Sequence, residues 1–331
     1  MKINIYRDST DKKILNLVQV EFPLTREPYA DLGRRLGIDG DEVTQRIEQL
    51  KTNGIIRQIS PVLDARHLGY QTTLVAMRVA KTQLGRAEEL ITEHPGVSHG
   101  YERNHHFNIW FTLASPHTAD IDTELRQLTE PMEVEAIFSL PAVKVFKIGA
   151  YFDTVGDSQR TIGISRQPGG VLPEKAELSR IDRQVINELQ QDLPLVPTPF
   201  SDMAARLDMD EESFLAQCQS LLQRGIMRRF GASVNHRKAG FTANAMTCWI
   251  APPDTVDSAG RELSSLPEVS HCYERKTNPL WPYNLFAMIH CDTREACQAM
   301  ASEVSSRIGL MDYTLLYSTK EFKKTRVKYL V

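Results

Sequence analysis

The chain is written twice, and no other feature constrains its fold as much. "DKKILNLVQVEFPLTREPYADLGRRLGID" from Asp11 returns 171 positions later as "DRQVINELQQDLPLVPTPFSDMAARLDMD" from Asp182. The same spacing carries "GIIRQISPVLDARHLGY" at Gly54 to "GIMRRFGASVNHRKAGF" at Gly225. "VSHGYER" from Val97 answers "VSHCYER" from Val269, and the longer turn "KTNPLWP" widens the offset to 176 by Asn108 and Asn284. "VKVFKIGAYF" from Val143 faces "KEFKKTRVKYL" from Lys320. A period this long duplicates whole domains, whereas solenoid units are shorter. At 331 residues and 41% hydrophobic, each half can build its own core.

Within each half the apolar period changes partway. Ile14, Leu15, Leu17 and Val18 share a helical stripe after Asp11; "PYADLGRRLGI" is a short helix stopped by Gly37. "DEVTQRIEQLKTNG" is a third helix, with Val43, Ile47 and Leu50 on one face and Gly54 as its stop. Three short helices with a tight turn form a helix-turn-helix, and "GIIRQISPVLD" predicts a small β-wing. The pattern then reads strand, helix, two hairpin strands ("VSHGYER" and "FNIWFTLA"), helix, strand. That order is βαββαβ, a ferredoxin-like sandwich. The fold class is therefore α+β, a tandem duplication of winged helix-turn-helix plus ferredoxin-like sandwich. The domains expected are 1–60 and 61–152, a Gly- and Ser-rich linker over 153–175, then 176–231 and 232–331.

Composition removes several function classes. A net charge of −3 argues against a general polyanion-binding surface, and no apolar run reaches membrane-spanning length. "MKINIYRDSTDKK" is too charged for a signal peptide, so a cytoplasmic address is expected. Five cysteines, all in the second half and none in a Cys-x-x-Cys pair, read as reduced thiols, with no metal site expected.

A winged helix-turn-helix followed by βαββαβ resembles the AsnC-like transcription regulators. Sandwich domains of that family pair through their sheets, so the two halves are expected to pair within one chain. In such regulators the third helix meets DNA, yet here Asp39, Asp41, Glu42 and Glu48 surround the lone Arg46. In the second copy Asp208, Asp210, Glu211 and Glu212 crowd the same place. Those helix starts repel a phosphate backbone, so no nucleic-acid partner is expected.

The hairpins carry the chemistry. Alternate strand residues share a face, so Val97, His99, Tyr101 and Arg103 are expected to line up, as are Val269, His271, Tyr273 and Arg275. At the turns the copies differ: His105 and His106 in one, Trp281, Pro282 and Tyr283 in the other. "YERNHHFNIWF", "CYERKTNPLWPYNLFAMIH" and the closing "YSTKEFKK" resemble the siroheme decarboxylases, whose two subunit types look fused here. The resemblance rests on these motifs, which occur in the order a fused chain would show. It implies loss of carbon dioxide from the C12 and C18 acetates of siroheme, giving 12,18-didecarboxysiroheme, in haem d1 or siroheme-dependent haem formation. It also implies siroheme and its product as ligands, contact with other haem d1 biosynthesis proteins, and no membrane partner.

Siroheme is flat, iron-containing and bears eight carboxylates, so its site needs aromatic walls and cations. Trp110, Phe107, Phe111, Trp281, Tyr283 and Phe286 are candidate walls, and Tyr101 and Tyr273 add polar rings. Arg103, Arg275, Lys144, Lys147 and Arg78 are the candidate cations, arginine's fork suiting carboxylates best. Protonating the carbanion needs an acid, and histidine titrates in the right range. His105 is the first candidate, because the resemblance places a histidine before "N-x-W-F"; His99 and His106 follow. His271 and His290 are expected to bind substrate. The macrocycle delocalises the carbanion charge, so no cofactor beyond the substrate's own iron is expected. The alternatives are a DNA-binding regulator that senses a small molecule or tetrapyrrole, and a catalytically silent haem-binding protein.

Overall fold

The computed structural model describes residues 8–149, 177–235 and 243–331. The expected linker at 153–175 and His236 lie outside the described residues. The first copy runs α1 (Ser9–Val20), α2 (Pro28–Leu36), α3 (Gly40–Thr52), β1 (Ile56–Leu63), β2 (Tyr70–Arg78), α4 (Leu84–Glu93), β3 (Val97–Arg103), β4 (Ile109–Pro116), α5 (Ile121–Thr129) and β5 (Ala136–Ile148). The second repeats that order with α6 (Arg180–Leu189), α7 (Pro199–Ala205), α8 (Glu211–Gln223), β6 (Met227–Val234), β7 (Ala243–Trp249), α9 (Val256–Ser265), β8 (Val269–Arg275), β9 (Leu285–Cys291), α10 (Arg294–Ile308) and β10 (Tyr313–Lys324).

Local chemistry sets the helix ends. Asp8 caps α1 by accepting from the Thr10 N–H at 2.9 Å, and Ser179 with Asp182 forms a reciprocal capping box on α6. Pro28 starts α2, and Gly37 ends it in the left-handed conformation at φ 71°.

Each expected wing is a single strand rather than a hairpin. A lone strand leaves its N–H and C=O groups unpaired; here the duplicate supplies the partner, because β1 and β6 pair antiparallel with Ser60 opposite Gly231. Those two positions are equivalent in the repeat, so an internal two-fold axis passes through the middle of the ribbon. The ribbon and both helix-turn-helix units share one core, in which Ile14, Leu15 and Val18 meet Val185, Ile186, Leu189 and Phe230.

The two βαββαβ units do not stay separate. Their eight strands close a barrel in the order β10-β3-β4-β2-β5-β8-β9-β7. The last strand of each half makes the joins. β5 pairs with β2 up to Pro141 and with β8 from Ala142; β10 pairs with β7 up to Tyr317 and with β3 from Ser318. The two joins have equivalent registers: Val145 lies opposite Tyr273 as Glu321 lies opposite Tyr101, with bulges at matching positions. Helices α4 and α5 cover one side over Val75, Val97 and Phe111, and α9 and α10 cover the other over Val269, Leu285 and Ile289. A separate apolar cluster, including Trp110, Phe138, Leu140, Met246, Phe286 and Leu316, lies on the inner face between those two cores. Among the described residues no helix is long and apolar enough to cross a membrane.

Candidate active site

The repeated hairpin strand lies at the two joins. A register shift between Val97 and His99 lets both face neighbouring residues of β4, and the same shift recurs between Val269 and His271. A bulge reverses which face follows. The valines therefore turn outward into the helix-covered cores, a correction to the four-residue face expected from simple alternation. Gly100 also faces outward, where a Cβ would lie 2.8 Å from Ile91. Histidine, tyrosine and arginine keep the inner face.

They form a column in each half. His99 stacks near Tyr101 with ring centroids 6.5 Å apart, and the Arg103 guanidinium lies 5.3 Å from the Tyr101 ring. In the second half the spacings are 6.2 Å for His271 and Tyr273 and 4.6 Å for Arg275 over Tyr273. Each arginine reaches a carbonyl on the strand that joins the halves: Arg103 Nη1 donates to Leu316 at 2.8 Å, Arg275 Nη1 to Leu140 at 2.9 Å.

The histidines are held by serines that sequence reasoning passed over. Ser98 Oγ lies 2.9 Å from His99 Nδ1, and Ser270 Oγ 2.9 Å from His271 Nδ1. Ser270 Oγ also lies 2.7 Å from His290 Nε2, which gives the second half a link that the first does not share. The signal was present, since "VSH" occurs in both copies. Burial, then the nearby Lys324, His271 and Arg57, pushes His99 down to about 3. Burial, then Lys324, Arg275, Lys147 and Arg229, pushes His271 down to about 4. Burial, with His271, Lys324 and Arg103 beside it, takes His290 to about 3. At neutral pH all three imidazoles are uncharged, in cationic surroundings.

Those cations come largely from the ribbon end of the barrel, again outside the expected set. Arg57 donates to Glu321 at 2.6 Å and to the Lys324 carbonyl at 3.3 Å. Its repeat counterpart Arg228 pairs with Asp64 at 2.9 Å. Arg229 donates to the Gln19 carbonyl, where Gln58 in the other copy donates to Gln190. Of the expected cations, Lys147 and Lys144 point to the outer face: Lys147 donates to the Leu266 carbonyl at 2.7 Å, and Lys144 pairs with Asp257 at 2.6 Å. Arg78 is exposed and pairs with Glu135 at 2.5 Å.

The hairpin turns lie at the opposite end. His99 and Arg103 are four positions apart, a rise of roughly 13 Å along the strand, and His105 follows beyond. There His105 meets Trp281 edge-on at 5.3 Å, and Trp281 meets Trp110 at 4.9 Å and Tyr283 at 5.1 Å. His105 is half-buried and lowered to about 4, chiefly by burial. His106 lies tilted against it at 4.0 Å. So the structure separates His105 and His106 from the paired His99 and His271. Phe111 is in the outer core, not with these aromatics. The repeated asparagines are structural: Asn108 bonds both backbone groups of Val79 at 3.1 and 2.9 Å, and Asn284 those of Ala251 at 2.8 and 2.9 Å. Two surface depressions, around Asp257 with Arg261 and around Glu42 with Arg46, receive none of the expected site residues.

Fold and interior together define a duplicated AsnC-like protein whose joined sheets enclose the chemistry. Two family models match both halves: an AsnC-like ligand-binding domain over residues 67–147 and 238–323, and a siroheme decarboxylase NirDL-like helix-turn-helix domain over residues 11–57 and 182–228. The chain is 37% identical to the siroheme decarboxylase of Hydrogenobacter thermophilus, covering 96% of this chain and 94% of that protein. It is 31% identical to the siroheme decarboxylase NirDL subunit of Paracoccus denitrificans, over 96% of each. The crystal structure of the siroheme decarboxylase NirDL superposes with a TM-score of 0.72 at 34% identity, covering 98% of this chain and 95% of that one. NirDL in complex with an iron-uroporphyrin III analogue superposes at 0.71, with the same identity and coverage. The chain belongs to the siroheme decarboxylase family.

Proposed function

We propose that this chain removes the carboxyl groups of the C12 and C18 acetates of siroheme, giving 12,18-didecarboxysiroheme on the route to haem d1. The observation that carries the reading is the pair of serine-held imidazoles, His99 and His271, at equivalent places on one barrel interior. Two like groups must be removed, and two like acids are present. The substrate's anionic rim suits the cations at the ribbon end, and Arg103 and Arg275 lie over the Tyr101 and Tyr273 rings on the same inner face.

The electrostatics supply a sequence of events. Without substrate the imidazoles are neutral, because burial and neighbouring cations oppose a further charge. An arriving carboxylate reverses the balance and favours the imidazolium. The bond between the acetate methylene and its carboxylate then breaks. Carbon dioxide leaves neutral, and the electron pair passes into the macrocycle. The imidazolium has now lost its counter-charge, so it gives its Nε2 proton to the methylene, completing a methyl group. No oxidant is consumed, and the ring itself takes the electron pair, so no organic cofactor is required. The acid role thus moves from His105, first in the sequence expectation, to His99 and His271.

Anaerobic incubation with siroheme and mass spectrometry of the extracted pigment tests the reaction. His99→Ala and His271→Ala are expected to lose turnover at one acetate or both, whereas His105→Ala keeps both steps. Loss of turnover in His105→Ala alone would return the acid role to the far end.

A further inference from the structure

We propose that one siroheme docks with the line through its C5 and C15 meso carbons on the internal two-fold axis, so that His99 serves one reacting acetate and His271 the other. The inference rests on the decarboxylation proposed above and adds the orientation of the substrate.

On the protein side the symmetry reaches the site. Ser60 and Gly231 place the axis through the ribbon. The joins bring Lys324 opposite His99 and Ile148 opposite His271, at equivalent registers. Each histidine has a serine on Nδ1 at 2.9 Å and a tyrosine next in its column. Any ligand on the axis meets the same acid, at the same height, from both sides.

On the substrate side only one edge of the ring matches. Reading outward from C15, both neighbouring rings carry first a propionate, at C13 and C17, and then an acetate, at C12 and C18. Rotation about the C5–C15 line exchanges these two acetates. The remaining acetates, at C2 and C7, sit on saturated, methyl-bearing carbons that cannot pass an electron pair into the ring. A two-fold pair of acids therefore selects the two acetates that are both symmetry-related and able to react. In each step a methylene–carboxylate bond breaks, carbon dioxide departs as the ring takes the electron pair, and one proton from the facing imidazolium, taken up as substrate binds, makes the methyl group.

The halves are equivalent in position but not in surroundings. His290 faces Asn244 in the second half, where the matching strand pair of the first is Ala114 and Thr72. Arg229 takes the place of Gln58. The two steps should therefore run at different rates while remaining independent.

The test uses the full chain with His99→Ala and His271→Ala separately, incubated anaerobically with siroheme. Products are extracted, demetallated and examined by NMR to locate the new methyl group. Each variant is expected to release one carbon dioxide where the parent chain releases two, one stopping with the methyl at C12 and the other at C18. Each variant should complete the other's product. Glutamine variants at the same positions retain a polar group for the serine contact and should behave alike if alanine disturbs folding. The same isomer from both variants, a mixture from either, or an inert variant that still binds pigment overturns the proposal. Unreacted siroheme with the parent chain instead refutes the decarboxylase reading itself.

Discussion

The Arg103 guanidinium donates to the carbonyl of Leu316 across 2.8 Å, at the last turn of the ladder before β10 leaves β7 for β3. Arg275 makes the same bond to Leu140, where β5 leaves β2 for β8. These two arginines are thus the bolts of the duplication. Replacing Arg103 with methionine leaves a carbonyl without its charged donor, at a cost of about 1–3 kcal/mol. Thermal denaturation should show a lowered midpoint, and Arg103→Lys should recover little of it, because the bond uses the guanidinium's reach. An unchanged midpoint contradicts the bolt.

The buried histidines make stability depend on pH. His99, His271 and His290 are lowered to about 3, about 4 and about 3, against about 6.5 in an unfolded chain. Below 6.5 the unfolded chain binds more protons than the folded one, so stability rises with pH across that window. It is full above pH 6.5 and is lost as pH falls through about 4 to about 3. Denaturant titrations at stepped pH measure this, and His99→Gln should flatten the slope.

Pigment binding should carry a proton signal of the opposite kind. A carboxylate beside His99 or His271 raises the imidazole's proton affinity. Calorimetry at neutral pH in buffers of different ionisation heat should therefore show proton uptake, and the doubly substituted His99→Ala, His271→Ala chain should lose it. Equal uptake in parent and variant places the proton elsewhere.

Ser270 holds two imidazoles, whereas Ser98 holds one. Ser270→Ala is expected to slow one decarboxylation by about fivefold, equivalent to about 1 kcal/mol of lost orientation. Ser98→Ala should affect the other acetate. Product ratios over time separate the two effects, and identical ratios would remove the serines from the account.

Arg46, the lone base among the acids of the first half of α3, is held by Asp8 at 2.7 Å, Asp11 at 2.9 Å and Glu42 at 2.8 Å. In the second copy Glu211 pairs with Arg26 at 3.4 Å, close to the start of α8. Gel shifts on genomic fragments at low salt are expected to stay flat. A salt-dependent shift would revive the regulator alternative.

Much of this was legible in the residues. The repeat announced two equivalent halves, and the helical and alternating periods gave the βαββαβ order, because both patterns are local. The His, Tyr and Arg of each column were legible for the same reason. Val97 and Val269 were not, since a bulge depends on the partner strand and leaves alternation intact on paper. Ser98 and Ser270 were visible in "VSH" but lacked meaning until the bulge turned them beside an imidazole. Arg57 and Lys324 are far from His99 in sequence and meet it only because the ribbon and the shared last strand bring them to one end. His105 was named from the resemblance, which carries no position in space; the fold sets it against Trp281, at the end of the barrel away from His99 and His271. Pairing between the halves was expected; closure into one barrel required the strand exchange itself.

The most direct measurement is an anaerobic single-pot conversion: full chain with siroheme, pigment extracted over time and weighed by mass spectrometry. The account predicts a transient species lacking one carboxyl group, then a stable product lacking two, with methyl groups at C12 and C18. Siroheme that binds to the chain but keeps all eight carboxyl groups would contradict it.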